Sequence, residues 1–321
     1  ALLMGDTARA TELVEANLVE GPALRATRRH LVPILFRLWR AGNADARAQI
    51  LAAGVQALPH LLRMRSADAR GLVEALLDQA AGPLEVQTLG PFRVLRSRGG
   101  SEVAEEVVFR SPRVAELLRV LLLHSDGGFV PKEVLIEELW PCSKVDVENS
   151  FHTHLSYLRR ALEPHLPSRI PSRYLLREGG GYRLDLRGGR WDAADFEAEA
   201  KAGLAALRRG EIERGRALVG MALTRYRGPL LEDHPYLEAA SARRQRLTGL
   251  MIEASLALAE SARARGEHFE ATELLERLLA QDPTLEDAYR LLMEVAADRD
   301  RHDHIAPILE RCRSALLEHC D

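Results

Sequence analysis

Between Asn149 and Arg160 the chain carries side chains that donate, accept and stack while holding little charge. Asn149, Thr153, Ser156, Tyr157 and Arg160 share one face of a helix of period 3.6, with His152, His154 and Arg159 on its flanks. On the opposite side Phe151, Leu155, Leu158 and Leu162 recur at i, i+4, i+7 and i+11, a single apolar stripe. A face of this kind breaks no bond. Its amides, hydroxyls and ring edges suit the hydrogen-bonding edges of bases, and its guanidinium groups suit phosphates. The same pattern also describes an ordinary solvated helix, so the neighbouring segments decide between the two readings.

A second candidate group follows at once. Arg177 and Arg183 flank Gly179-Gly180-Gly181, and the alternating runs Tyr174–Arg177 and Tyr182–Leu186 on either side predict a hairpin with a glycine tip. Glycine lets the main chain of such a tip approach a partner closely. Upstream, Leu84–Leu89, Phe92–Leu95 and Glu106–Arg110 predict three short strands, with a turn at Arg98–Ser101. Ser111-Pro112 gives an N-cap and a first-turn proline for a helix over Arg113–His124, which Asp126-Gly127-Gly128 stops. Val130-Pro131 opens another helix, apolar at Val134, Leu135, Leu139 and Trp140. Three strands, three helices and a hairpin make a helix-turn-helix with a wing, whose third helix can enter a major groove about 12 Å wide.

Glu138-Leu139-Trp140-Pro141, Leu155-Ser156-Tyr157-Leu158-Arg159-Arg160-Ala161-Leu162 and Gly179-Gly180-Gly181-Tyr182-Arg183-Leu184 resemble the OmpR-type winged helix. They are closest in pattern to the Streptomyces antibiotic regulatory protein (SARP) branch, and the resemblance spans about residues 84–186. It implies that the third helix reads the major groove through Asn149, Ser150, Thr153, His154, Ser156, Tyr157 and Arg159. Arg160 on the helix, and Arg177, Tyr182 and Arg183 beside the glycine tip, complete the expected DNA-binding set, the arginines as phosphate contacts. Ser156 and Tyr157 depart from the family, whose members often carry basic residues there. That departure implies a weaker phosphate grip or a different base preference.

Residues 1–82 read as helices over Ala8–Leu18, Pro22–Trp39, Ala44–Leu58 and Ala67–Ala80, with Pro33 expected to kink or split the second. They fit the tail of a longer helical-repeat array. Beyond Gly188-Gly189 the chain is again helical. Gly266, Ala271, Leu278 and Asp282-Pro283 resemble the tetratricopeptide spacing, in which a small residue lets two helices pack closely. The run from Trp191 to Leu218, with the Tyr226–Leu231 stretch after it, resembles the bacterial transcriptional activation domain that follows the winged helix in SARP proteins. The expected fold is therefore mainly α, with tetratricopeptide-like helical repeats flanking an α+β winged helix-turn-helix. The expected division is 1–82, 83–187 and 190–321.

Charge agrees with a local polyanion site. Residues 144–190 hold nine Lys and Arg against five Asp and Glu, whereas residues 191–321 hold 18 against 25, within a net charge of −3. Three scattered cysteines and no apolar run of about 20 residues point to a reduced, cytoplasmic setting without a membrane span. His302, His304, Cys312 and Cys320 lack zinc-site spacing, and neither a phosphate loop nor a nucleophile elbow occurs. No cofactor, metal or catalysis is expected. The expected partners are double-stranded promoter DNA and RNA polymerase, with a homodimer or head-to-tail pair on DNA. The rival reading is a helical-repeat scaffold whose winged helix docks protein. A further alternative makes residues 1–82 part of a larger sensory or ATPase regulator.

Overall fold

The computed structural model describes residues 23–97, 104–124, 128–141, 147–167 and 170–319, excluding the side chains of 23–30. The helix expected at Ala8–Leu18, the turn at Arg98–Ser101, Asp126-Gly127, Cys142 and Cys320 lie outside them. The chain forms two compact units, each built from two stretches: residues 1–84 with 95–189, and residues 85–94 with 190–321.

The first unit opens with helices α1 (Ala23–Arg40), α2 (Ala44–Ala52), α3 (Leu58–Met64) and α4 (Ala67–Ala80), with a 3-10 turn at Gly54–Ala57. The side chain of Asn43 caps α2 by accepting from the Ala46 amide (3.0 Å), and Ser66 caps α4 from the Ala69 amide (3.1 Å). Two expectations change here. α1 runs unbroken through Pro33, which lies on its exposed side while Val32, Leu35 and Phe36 bury next to it. The helix expected over Ala44–Leu58 ends at Ala52, because Gly54 turns the backbone left-handed (φ +62°) and Pro59 then sits in the first turn of a separate helix. The core of these helices, including Leu35, Ile50, Leu61, Leu72 and Leu76, also takes in Leu166 and Ile170.

Strands β1 (Leu84–Gln87), β2 (Arg93–Ser97) and β3 (Ala104–Glu106) follow. β3 pairs antiparallel with β2, Arg96 opposite Glu105 and Ser97 opposite Ala104. The third strand thus lies at residues 104–106 and not at Glu106–Arg110; the chain from Val107 on leaves the ladder to reach the α5 N-cap at Ser111. Helices α5 (Pro112–Leu123), α6 (Lys132–Leu139) and α7 (Val147–Leu162) complete a tri-helical core, with a two-residue strand β4 (Val130–Pro131) before α6. The wing is β5 (Leu175–Glu178) and β6 (Gly181–Leu184), and β6 also pairs with β4. Gly189 closes this unit: a Cβ there would lie 1.9 Å from the carbonyl oxygen of Leu84, so only glycine permits that approach.

In the second unit Glu85 and Val86 pair in parallel with β7 (Arg190–Trp191), a strand that the sequence reading did not foresee. Asp192 binds the amides of Thr88 (2.8 Å) and Leu89 (3.0 Å), the Thr88 hydroxyl (2.9 Å) and Arg227 (2.9 Å). The Trp191 indole donates to Thr88 Oγ1 (2.8 Å) beneath the Arg243 guanidinium. Helices α8 (Asp192–Arg208), α9 (Ile212–Arg225), α10 (Glu238–Ala264), α11 (His268–Gln281), α12 (Glu286–Asp298) and α13 (Ile305–His319) then pack in succession. α8 and α9 approach so closely that a Cβ on Gly203 would meet Val219 at 2.7 Å, and one on Gly215 would meet Leu207 at 2.6 Å. Ala271 and Leu278 of the repeat-like spacing are both buried. Among the described residues no helix is long and apolar enough to cross a membrane.

Candidate nucleic-acid interface

The apolar stripe of α7 is the anchor of the site. Phe151, Leu158 and Leu162 are wholly buried and Leu155 nearly so, which turns the polar face outward. Lys132 of α6 pairs with Glu148 in the first turn of α7; the hydrogen bond from Lys132 to Glu148 raises the lysine pKa. Asn149, Thr153 and Arg160 are exposed, while Ser150, His154, Ser156, Tyr157 and Arg159 are half-buried. The Thr153 hydroxyl donates to the Asn149 carbonyl (2.8 Å), which leaves its oxygen outward as an acceptor. His154 Nδ1 donates to the Ser150 carbonyl (2.7 Å), so Nε2 is the nitrogen left to accept in the neutral ring.

The wing faces this helix across a groove of about 800 Å³. His152, Ser156 and Arg159 line it from α7, Arg177 and Arg183 from the wing. Arg177 and Arg183 are exposed; Arg183 lies 5.0 Å over the Phe129 ring and Arg177 5.8 Å over that of Tyr182. The tip is made by left-handed glycines, Gly179 (φ +55°) and Gly180 (φ +83°). Shape and charge together form a concave, cation-rimmed surface with hydrogen-bonding groups on its helical wall.

Two of the expected contacts also hold the site together from within. Tyr182 is 3% exposed and packs edge-on against Phe151 with ring centroids 5.5 Å apart. Alternation along β6 sends Tyr182 and Leu184 inward and Arg183 outward, so the tyrosine seats the helix while its edge lines the floor of the groove. Arg159 turns back and donates to the Ile170 carbonyl (2.6 Å), tying the helix to the link that precedes the wing. Arg160, one residue on, is exposed.

One member of the surface was missed. Arg110 lies just before α5 and places its guanidinium 4.4 Å over the Tyr157 ring. The sequence offered no signal, because Arg110 stood as the end of an expected strand and a cation over a ring 47 positions away follows no local period.

Two family models match this chain: "Transcriptional regulatory protein, C terminal" over residues 105–184, and "Bacterial transcriptional activator domain" over residues 191–319. Transcriptional regulatory protein MoaR1 of Mycobacterium bovis (strain BCG / Pasteur 1173P2) is 31% identical over 217 residues, 66% of either chain. Regulatory protein DnrI of Streptomyces peucetius is 30% identical over 157 residues, 47% of this chain and 54% of its own. The solved structure of Mycobacterium tuberculosis EmbR in complex with a low-affinity phosphopeptide superposes with a TM-score of 0.61 at 25% identity, covering 74% of this chain and 60% of that one. The chain therefore spans between about half and two thirds of these relatives' lengths. The fold and the site define a winged-helix transcriptional regulator with a helical activator domain. With the two domains in this order and these relatives, the chain belongs to the SARP-type family.

Proposed function

We propose that this chain is a sequence-specific DNA-binding activator of transcription, acting in the cytoplasm without a catalytic step. The observation that carries the reading is the groove between the polar face of α7 and the arginines of the wing. Asn149, Thr153, Ser156 and Tyr157 set sequence preference through base edges, with Ser150 and His154 at the margins of the same face. Arg160, Arg177 and Arg183 grip phosphates and fix register. Functionally, residues 1–82 form a helical accessory segment, 83–187 the DNA-binding domain, and 190–321 the activator domain. The last contacts RNA polymerase and holds a homodimer or head-to-tail pair on double-stranded promoter DNA.

Selection of bound sequences from random DNA by the full chain, followed by titration at two salt concentrations, tests this reading. The expected result is an enriched motif, repeated at the spacing of two copies, whose affinity falls with salt. Salt-independent binding, or a protein partner captured with no preference among DNA sequences, would replace it with the docking-scaffold reading.

A further inference from the structure

A second concavity lies at the C-terminal end of α7. It is a cleft of about 250 Å³ between the N-terminal helices and the C-terminal end of α7. Val55, Leu76, Leu77, Leu162 and Leu166 make it largely apolar. Scaled from a 150 Å³ apolar cavity that takes benzene, this volume holds roughly ten non-hydrogen atoms.

Its polar lining includes Gln79 and His165 together with Arg96 and Glu163, the last two only 6% and 8% exposed. Glu163 spends its carboxylate on the Ser172 hydroxyl and on the Arg173 amide (3.0 Å). Arg96 donates to the carbonyls of Leu162 (2.6 Å) and Ala161 (3.5 Å) and to Glu105 (3.1 Å). A guanidinium has five N–H donors, so the described partners leave donor capacity on this wall. Glu105 and Glu163 together offset the arginine's charge, which disfavours an anion. The chemistry that fits is a neutral, mostly apolar molecule presenting one carbonyl acceptor.

The same two residues anchor the groove. Arg96 holds the last carbonyls of α7, and Glu163 holds the Ser172–Arg173 link that leads into β5. We propose that the cleft binds a small neutral carbonyl compound, and that its occupancy stiffens both anchors and tightens DNA binding. The effector role rests on the DNA-binding reading above; the ligand site does not.

The test uses the full chain and three probes: acetophenone, toluene (no acceptor) and benzoate (an anion). Calorimetry and ligand-observed NMR should show acetophenone binding about ten-fold more tightly than either of the others, one charged hydrogen bond's worth. Ala80→Phe, which fills the cleft, should abolish uptake. Arg96→Gln should remove the advantage of acetophenone over toluene. Because Arg96 also caps α7, the Ala80→Phe result stands where Arg96→Gln fails to fold. Saturating acetophenone should raise DNA affinity about five-fold in the parent and leave Ala80→Phe unchanged. No uptake of any probe, or equal uptake of all three, overturns the site. Uptake without a change in DNA affinity overturns the effector role. A chain that takes up acetophenone yet binds no DNA keeps the site and sinks the DNA reading instead.

Discussion

The guanidinium of Arg110 sits 4.4 Å over the ring of Tyr157, and that ring in turn stands edge-on to His154, with centroids 6.5 Å apart. His154 continues the file to Trp140 (5.4 Å), over which Arg113 lies at 5.8 Å. Tyr157 is thus oriented before any ligand arrives, between a cation and a ring edge. A pre-oriented side chain loses less rotamer freedom on binding than a free one.

Arg110→Ala should lower affinity for the preferred sequence about two- to ten-fold, since an exposed cation–π contact contributes roughly 0.5–1 kcal/mol and a phosphate contact would add to it. Tyr157→Phe, which keeps the ring, should retain most of the preference. Fluorescence anisotropy on preferred and scrambled duplexes separates the outcomes. Equal loss on both duplexes for Arg110→Ala would mean that the arginine only grips phosphate.

The wing arginines and Arg159 should behave differently. Arg177→Ala and Arg183→Ala each remove an exposed cation and should weaken all sequences, flattening the salt slope by about 1 apiece. Arg159→Ala leaves the Ile170 carbonyl without its donor and should cost about 1–3 kcal/mol of stability, with the slope unchanged. Urea unfolding beside salt titration distinguishes them; a flattened slope in Arg159→Ala would return that residue to the phosphate-contacting set.

How much of this was legible depended on range. The stripe Phe151, Leu155, Leu158, Leu162 is a local period, and all four positions are buried as it requires. The wing was legible because glycines and alternating runs are local too. Within it, the inward turn of Tyr182 was not legible, because a motif names a position without its side of the strand. Arg96 gave no warning at all: its partners at Leu162 and Ala161 lie more than 60 positions away, and no short-range pattern connects them. The early end of α2 was missed because Gly54 was read as part of a helix although it needs a left-handed φ.

Tyr174 is wholly buried and donates its hydroxyl proton to the Gly82 carbonyl (2.6 Å). Burial pushes its pKa up to about 12, against about 10 when unfolded. A pKa raised on folding gives stability that is fully present below about pH 10 and is lost as pH rises towards 12. Tyr174→Phe should therefore cost about 1–3 kcal/mol at neutral pH through the unsatisfied carbonyl, and should flatten the alkaline limb of the stability profile. A limb unchanged by the substitution would assign it to other groups.

In the second unit Glu197 is the acid-sensitive partner. Burial works against its ionisation, but the Lys201 hydrogen bond and the charges of Lys201, Arg246 and Arg243 hold its pKa below the usual range. A depressed pKa gives stability present above the unfolded value and lost as pH falls through the folded one. Glu197→Gln should reduce the loss of thermal stability on acidification below about pH 4.5. An acid limb as steep as the parent's would rule this residue out as its source.

Asp192 joins residues far apart in the chain, and its removal should be severe. Asp192→Ala strands two buried amides and the Thr88 hydroxyl together and should cost about 3 kcal/mol or more. Calorimetry should show a lowered transition, and Asp192→Asn should recover part of it; a loss under 1 kcal/mol would show that water replaces the carboxylate.

Thr88 and Asp192 are 104 positions apart, yet residues 85–94 belong to the compact unit that begins again at Arg190. During vectorial synthesis the short segment emerges long before the partners that shelter Val86 and Leu89, both of which end fully buried. Its docking must wait for the ribosome to deliver Trp191 and Asp192, so closure of this unit is a late, non-local event. A gene truncated after Gly189 would yield a protein with two stranded apolar side chains and an unpaired strand edge, open to pairing with its own copies. Inheritance of the two regions as one piece is thus enforced by folding itself, independently of any advantage in joining a DNA reader to an activator.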